Sequence, residues 1–211
     1  MPIAKLFLGF LLRFIFIYGL FTVLWFNWGD IYADLFRAGG NITFSSFGRE
    51  GAVRFLPYHP INKGNISDTR VIISHRQKLN KGIRILSSDA PSIKISSQLA
   101  GYTLTVLVIT LILATPIISW KRKGWALLWG IILVHFFIIF RMTIGLLFFF
   151  SLHQELGIVM FSPFWQDVLN RIYEVLIPNF GIIYTVPIFI WILVTFRRSD
   201  WHQLKNQLQQ A

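Results

Sequence analysis

Cysteine is absent from all 211 residues. That excludes disulfide scaffolds, thiolate metal sites and every mechanism with a cysteine nucleophile. Acidic residues are scarce as well: nine Asp and Glu stand against twenty Lys and Arg. Charged residues of both signs make up only 14% of the chain, against roughly 25% in soluble domains. Apolar residues make up 55%, with 21 Phe among them. So little polar surface leaves most of that apolar side chain uncovered, which excludes an ordinary soluble domain and intrinsic disorder. The net charge of +11 suits a nucleic-acid partner only if the bases cluster on a soluble surface. Here they flank apolar runs, so a lipid bilayer is the expected partner and no nucleic acid is.

Four runs are long and apolar enough to cross about 30 Å of hydrocarbon, which takes about 20 helical residues. They cover residues 6–26, 102–120, 125–150 and 176–196. Such runs close their backbone hydrogen bonds only as helices in lipid. The first differs from a cleavable signal peptide, because bulky Leu24-Trp25-Phe26-Asn27-Trp28 follows it where small residues are needed. The expected fold class is therefore a membrane protein, mainly α. It has four transmembrane helices and a small β-rich extracytoplasmic domain inserted between helices 1 and 2. The expected divisions are an anchor at 1–26, the β-rich domain at 27–97, a three-helix membrane region at 98–200 and a tail at 201–211. Lys121, Arg122 and Lys123 lie between the second and third runs, and Arg197, Arg198 and Lys205 follow the fourth. Short basic loops face the cytoplasm. Both termini are then cytoplasmic and residues 27–97 extracytoplasmic.

Within 27–97, Gly39-Gly40 reads as the opening break. Alternating runs follow at 41–44, 52–55, 69–73 and 82–86, with a fifth at 92–95. β-branched residues separated by turn formers predict a small antiparallel sheet. This block carries ten Lys and Arg against five Asp and Glu. That excess fits lipid headgroups or an acidic client segment. Asn41-Ile42-Thr43 and Asn65-Ile66-Ser67 match the glycosylation pattern, a frequent chance match.

Polar residues inside an apolar run cost energy and so mark function or a buried structural role. Arg141 and His135 both fall in the third run, about 9 Å apart along a helix axis and about 120° apart around it. They do not pair directly, but each suits a polar pocket or an interhelical hydrogen bond. His153 closes that run. Ser96 and Ser97 precede the second run, so a serine–histidine device with His153 is conceivable. Asp167, Arg171 and Glu174 share one face of a possible interfacial helix, where ion pairing is the simplest reading. His59 and His75 lack helical His partners, and neither a metal site nor a cofactor is expected.

From Ser97 onward the order of features resembles the back half of a bacterial exosortase, a family of multi-pass, transpeptidase-like membrane enzymes of protein sorting. Gln98-Leu99-Ala100-Gly101-Tyr102 stands at the family's Cys-Ser-Gly element. Lys121-Arg122-Lys123-Gly124-Trp125 stands at its basic turn, Phe140-Arg141-Met142 at its intramembrane Arg and His153 at its outer His. The resemblance covers residues 97–155. It implies the bacterial cytoplasmic (inner) membrane and, as partners, an exosortase or the sorting-signal helix of a client. Leu99 stands where the family has its nucleophile, so no thiolate forms. The expected function is a non-catalytic membrane accessory or binding protein, with Arg141, His135 and His153 as binding residues. One alternative is a membrane hydrolase or transpeptidase-like enzyme of non-cysteine mechanism, using Ser97, Arg141 and His153. Another is a small transporter or channel subunit lined by His135 and Arg141.

Overall fold

A computed structural model describes residues 3–48, 50–59, 66–75, 91–116, 118–153 and 156–196. The chain is mainly helical, with one small sheet. Helix α1 spans Ile3–Phe44, followed by strands β1 (Gly51–Pro57), β2 (Thr69–His75) and β3 (Ser92–Ile95). A π-helical turn, Gln98–Tyr102, runs into α2 (Thr103–Ala114). Then come α3 (Trp120–Leu152), α4 (Pro163–Leu176) and α5 (Phe180–Thr195).

Two helices, Phe7–Phe44 and Trp120–Leu152, are long and apolar enough to cross a membrane, and α4 with α5 adds a third if the pair is one span. Four crossings are therefore more than length and composition alone deliver. The expected second run stops early: α2 ends at Ala114, and Thr115 precedes Pro116. A residue before proline is pushed out of the helical region, so the helix stops before Thr115. The fourth run begins only at Phe180, because Pro178 stands between α4 and α5. Pro187 is held inside α5.

The chain forms two compact units, with boundaries inside α1 and α3. The first holds 1–24, 104–137 and 181–211. Its core is built from α2, where Leu104, Val108 and Ile112 are fully buried, together with Val134 of α3. Gly130 permits close packing: a Cβ there would meet Ile112 and Val108 at 2.9 Å. Phe10 stacks on Trp191 at 5.8 Å, and the Trp191 indole N–H donates to Thr115 Oγ1 at 2.9 Å.

The second unit holds 25–103 and 138–180. Its sheet is an antiparallel meander, β1-β2-β3, with Val53 opposite Ile73, Phe55 opposite Val71 and Val71 opposite Ile93. Alternation puts Val53, Phe55, Val71 and Ile73 on one face. They form a core with Phe44 of α1 and with Leu146 and Phe150 of α3. The other face carries the cations Arg54, Arg70 and Lys94. The expected runs at 52–55, 69–73 and 92–95 thus lie in strands, while 82–86 lies outside the described residues.

The expected strand at 41–44 is helix instead. Residues 27–44, expected in the β-rich domain, continue α1 without a break. The Phe55 ring lies against Gly40, where an added Cβ would meet it at 2.9 Å. Asn41 docks the same turn on the edge of β1. Its Nδ2 donates to Phe55 O at 3.0 Å, and Phe55 N donates to its Oδ1 at 2.8 Å. The Asn41 amide is thus engaged in packing the helix end. Asn65, in the other sequon, lies outside the described residues.

Candidate functional site

The residues a catalyst would use are each engaged elsewhere. Ser97 is fully buried. Its Oγ donates to Asp68 Oδ2 at 2.7 Å, and its backbone N–H donates to the same carboxylate at 3.1 and 3.2 Å. Thr69 Oγ1 donates to Asp68 Oδ1 at 2.7 Å, and Arg37 Nη1 reaches the Asp68 carbonyl at 3.1 Å. Asp68 therefore joins the start of β2, the exit of β3 and α1. It was not singled out from the sequence, where a lone Asp in a turn-rich stretch carries no spacing signal. Ser96 Oγ accepts from Leu99 N at 3.5 Å.

Arg141, in α3, is half-buried. Its Nε donates to Leu176 O and its Nη2 to Ile177 O, each at 3.0 Å. These are carbonyls at the C-terminal end of α4, which has no further helical turn to satisfy them. Two more cations of α3 act the same way. Lys123 Nζ donates to Leu113 O at 2.8 Å, near the end of α2, and Arg122 Nη2 to Thr195 O at 3.3 Å, at the end of α5. One helix thus supplies a cation to the C-terminus of each of the other three helices in this half of the chain. The helix dipole places partial negative charge there.

His153 Nδ1 lies 2.9 Å from Phe149 O, and His135 Nδ1 lies 2.8 Å from Ile131 O, each four residues back on its own helix. His135 is exposed on α3. Twelve residues separate Arg141 from His153, about 18 Å along a helix. Among the described residues no hydrogen bond joins Ser97, Arg141 and His153. Asp167, Arg171 and Glu174 are exposed on α4 and carry no ion pair among the described residues, so the expected pairing is not formed. His75, expected to be solvated or locally hydrogen-bonded, lies 2.9 Å from Glu50. His59 is exposed just after β1. No group of three His, Asp or Glu among the described residues is placed to hold a metal ion.

The most site-like place in the second unit is a cleft of about 390 Å³ beside the π-helical turn. Trp25, Asn27, Asp30, Ser67, Asp68 and Gln98 line it. The turn closes with Thr103 N donating to Gln98 O, five residues back. π-turns recur at functional sites because they displace a side chain from the helical row. Here Tyr102 meets Trp25 with ring centroids 4.6 Å apart, and Tyr32 at 5.2 Å. Gly101 lies so close to the Tyr32 hydroxyl that a side chain would collide with it. The cleft thus has a rigid aromatic flank, two amide side chains and the exposed carboxylate of Asp30. Its chemistry suits hydrogen bonding to an extended chain more than bond breaking. No family model, curated protein or solved structure matches this chain.

Proposed function

We propose that the chain is a non-catalytic integral membrane binding protein, an accessory of an exosortase-type protein-sorting system in a bacterial inner membrane. One observation carries the non-catalytic reading: Ser97, Arg141 and His153 are bonded to structural groups, and no thiol exists to replace them. The sorting context rests on the order of features from Ser97 to His153. Gln98, which borders the cleft, precedes Leu99, where the resemblance has the family's nucleophile. An extended client segment entering the cleft would meet the Asn27 and Gln98 amides and Asp30. On this reading both termini lie in the cytoplasm and the sheet outside, with Lys121, Arg122 and Lys123 holding the inner boundary.

Affinity purification of the tagged full chain in mild detergent tests this. The expected result is co-elution of an exosortase or a protein bearing a sorting signal. Asp30→Asn combined with Gln98→Ala should weaken that co-elution. Recovery of neither class with the unaltered chain overturns the sorting reading.

A further inference from the structure

The first unit presents an imbalance that its described residues do not resolve. Its described residues include Lys5, Arg13, Lys121, Arg122 and Lys123, and no Asp or Glu at all. Two of these cations line one cavity of about 520 Å³, with Ile17, Leu113, Pro116 and Trp120. Lys123 is 7% exposed. Its Nζ donates to the Leu113 carbonyl and lies 5.0 Å from the Trp120 ring centroid, so both neighbours are uncharged. Arg13 is exposed on α1 and makes no hydrogen bond or ion pair with the described residues.

We propose that Arg13 and Lys123 bind the phosphate of an anionic phospholipid headgroup in this cavity. Two cations with no carboxylate beside them among the described residues call for an anion from outside, and in lipid such cations are costly unless paired. Basic pockets between membrane helices bind acidic headgroups for this reason. Arg presents a planar fork that matches phosphate oxygens, and Lys adds a point charge. Trp120 is 78% exposed at the first residue of α3, the position of an interfacial aromatic. Ile17 and Leu113 give the wall an apolar surface suited to the start of an acyl chain. Net negative charge is required, so phosphatidylglycerol fits and phosphatidylcholine, which brings its own cation, fits poorly.

The full chain in mild detergent, titrated with short-chain phosphatidylglycerol and followed by native mass spectrometry and thermal shift, tests the site. Binding should be saturable and weaken about fivefold in Arg13→Gln, as loss of one cation near an anionic headgroup implies. Arg13→Lys should recover most of it. Lys121→Gln, an exposed cation outside the cavity, should leave it unchanged. Equal weakening by Lys121→Gln shows unspecific attraction and overturns the proposal. Equal binding of phosphatidylcholine, or no effect of Arg13→Gln, also overturns it. An Arg13-dependent shift from inorganic phosphate at the same concentration would assign the cavity to a soluble anion and overturn the lipid assignment.

Discussion

At the scale of the residue, Arg141 shows what the membrane interior demands of a charge. The sequence marks it as needing a partner, because an unpaired cation in the third apolar run is costly. The partner is not a carboxylate but two carbonyls at the end of α4. Nothing in a linear sequence announces such a pairing, since every residue carries a carbonyl and only the fold decides which are left orphaned. Arg141→Ala leaves both without a donor. Hydrogen bonds to a charged group are worth about 1.5–3 kcal/mol each, and shared solvation of the loosened end reduces the sum, so we expect a loss of about 2–4 kcal/mol. Thermal unfolding in detergent should show a lower midpoint, with Arg141→Lys recovering part of the loss through one bond. An unchanged midpoint together with loss of partner binding would mean that Arg141 acts on a ligand and not on α4.

At the scale of the element, α1 is the clearest departure from what the sequence suggests. Gly39-Gly40 reads as a break, and glycine inside a helix costs about 1 kcal/mol relative to alanine. A second pattern runs through the same stretch: Ala33, Phe36, Arg37, Gly40, Asn41 and Phe44 recur at spacings of three and four. That is one helical face, and it is the face that meets the sheet through Phe36, Gly40, Asn41 and Phe44. Propensity pointed to a loop, and tertiary packing overrode it. The three observed strands were legible because β-branched alternation survives in isolation. The cleft was not, since it joins Trp25 to Gln98 across 73 positions. The two glycines make a paired test. A Cβ at Gly39 meets nothing within 4 Å, so Gly39→Ala should stabilise by about 0.5–1 kcal/mol. At Gly40 the Phe55 ring stands in the way and is itself buried, so Gly40→Ala should destabilise by about 1–2 kcal/mol once propensity is offset against overpacking. Equal and neutral effects would mean that α1 does not continue against the sheet.

At the scale of the whole molecule, the missing cysteine becomes an experimental asset. Helix α1 has 42 residues, about 63 Å at 1.5 Å per residue, roughly twice the hydrocarbon thickness. Asp30, Asp34 and Arg37 fall in its second half, so that half belongs outside the hydrocarbon and the Phe-rich first half within it. The 17 residues of Gln98–Ala114 reach about 26 Å, and the 16 of α5 about 24 Å. Both are near the lower limit for a crossing, so four crossings require a slightly thinned bilayer at those helices. The proposed topology has the basic start of α3 on the cytoplasmic side and Lys94 and Glu174 on the other. Single cysteines placed in the otherwise cysteine-free chain read this directly. Lys94→Cys and Glu174→Cys, both at exposed positions, should react with a membrane-impermeant maleimide in intact spheroplasts. Lys121→Cys, also exposed, should react only after lysis. Protection of Glu174→Cys with labelling of Lys94→Cys would leave an odd number of crossings between them and so remove the second or the third crossing. Labelling of Lys121→Cys in intact spheroplasts, with Lys94→Cys protected, would invert the topology and carry the sheet and its cleft into the cytoplasm, where no sorting client would meet them.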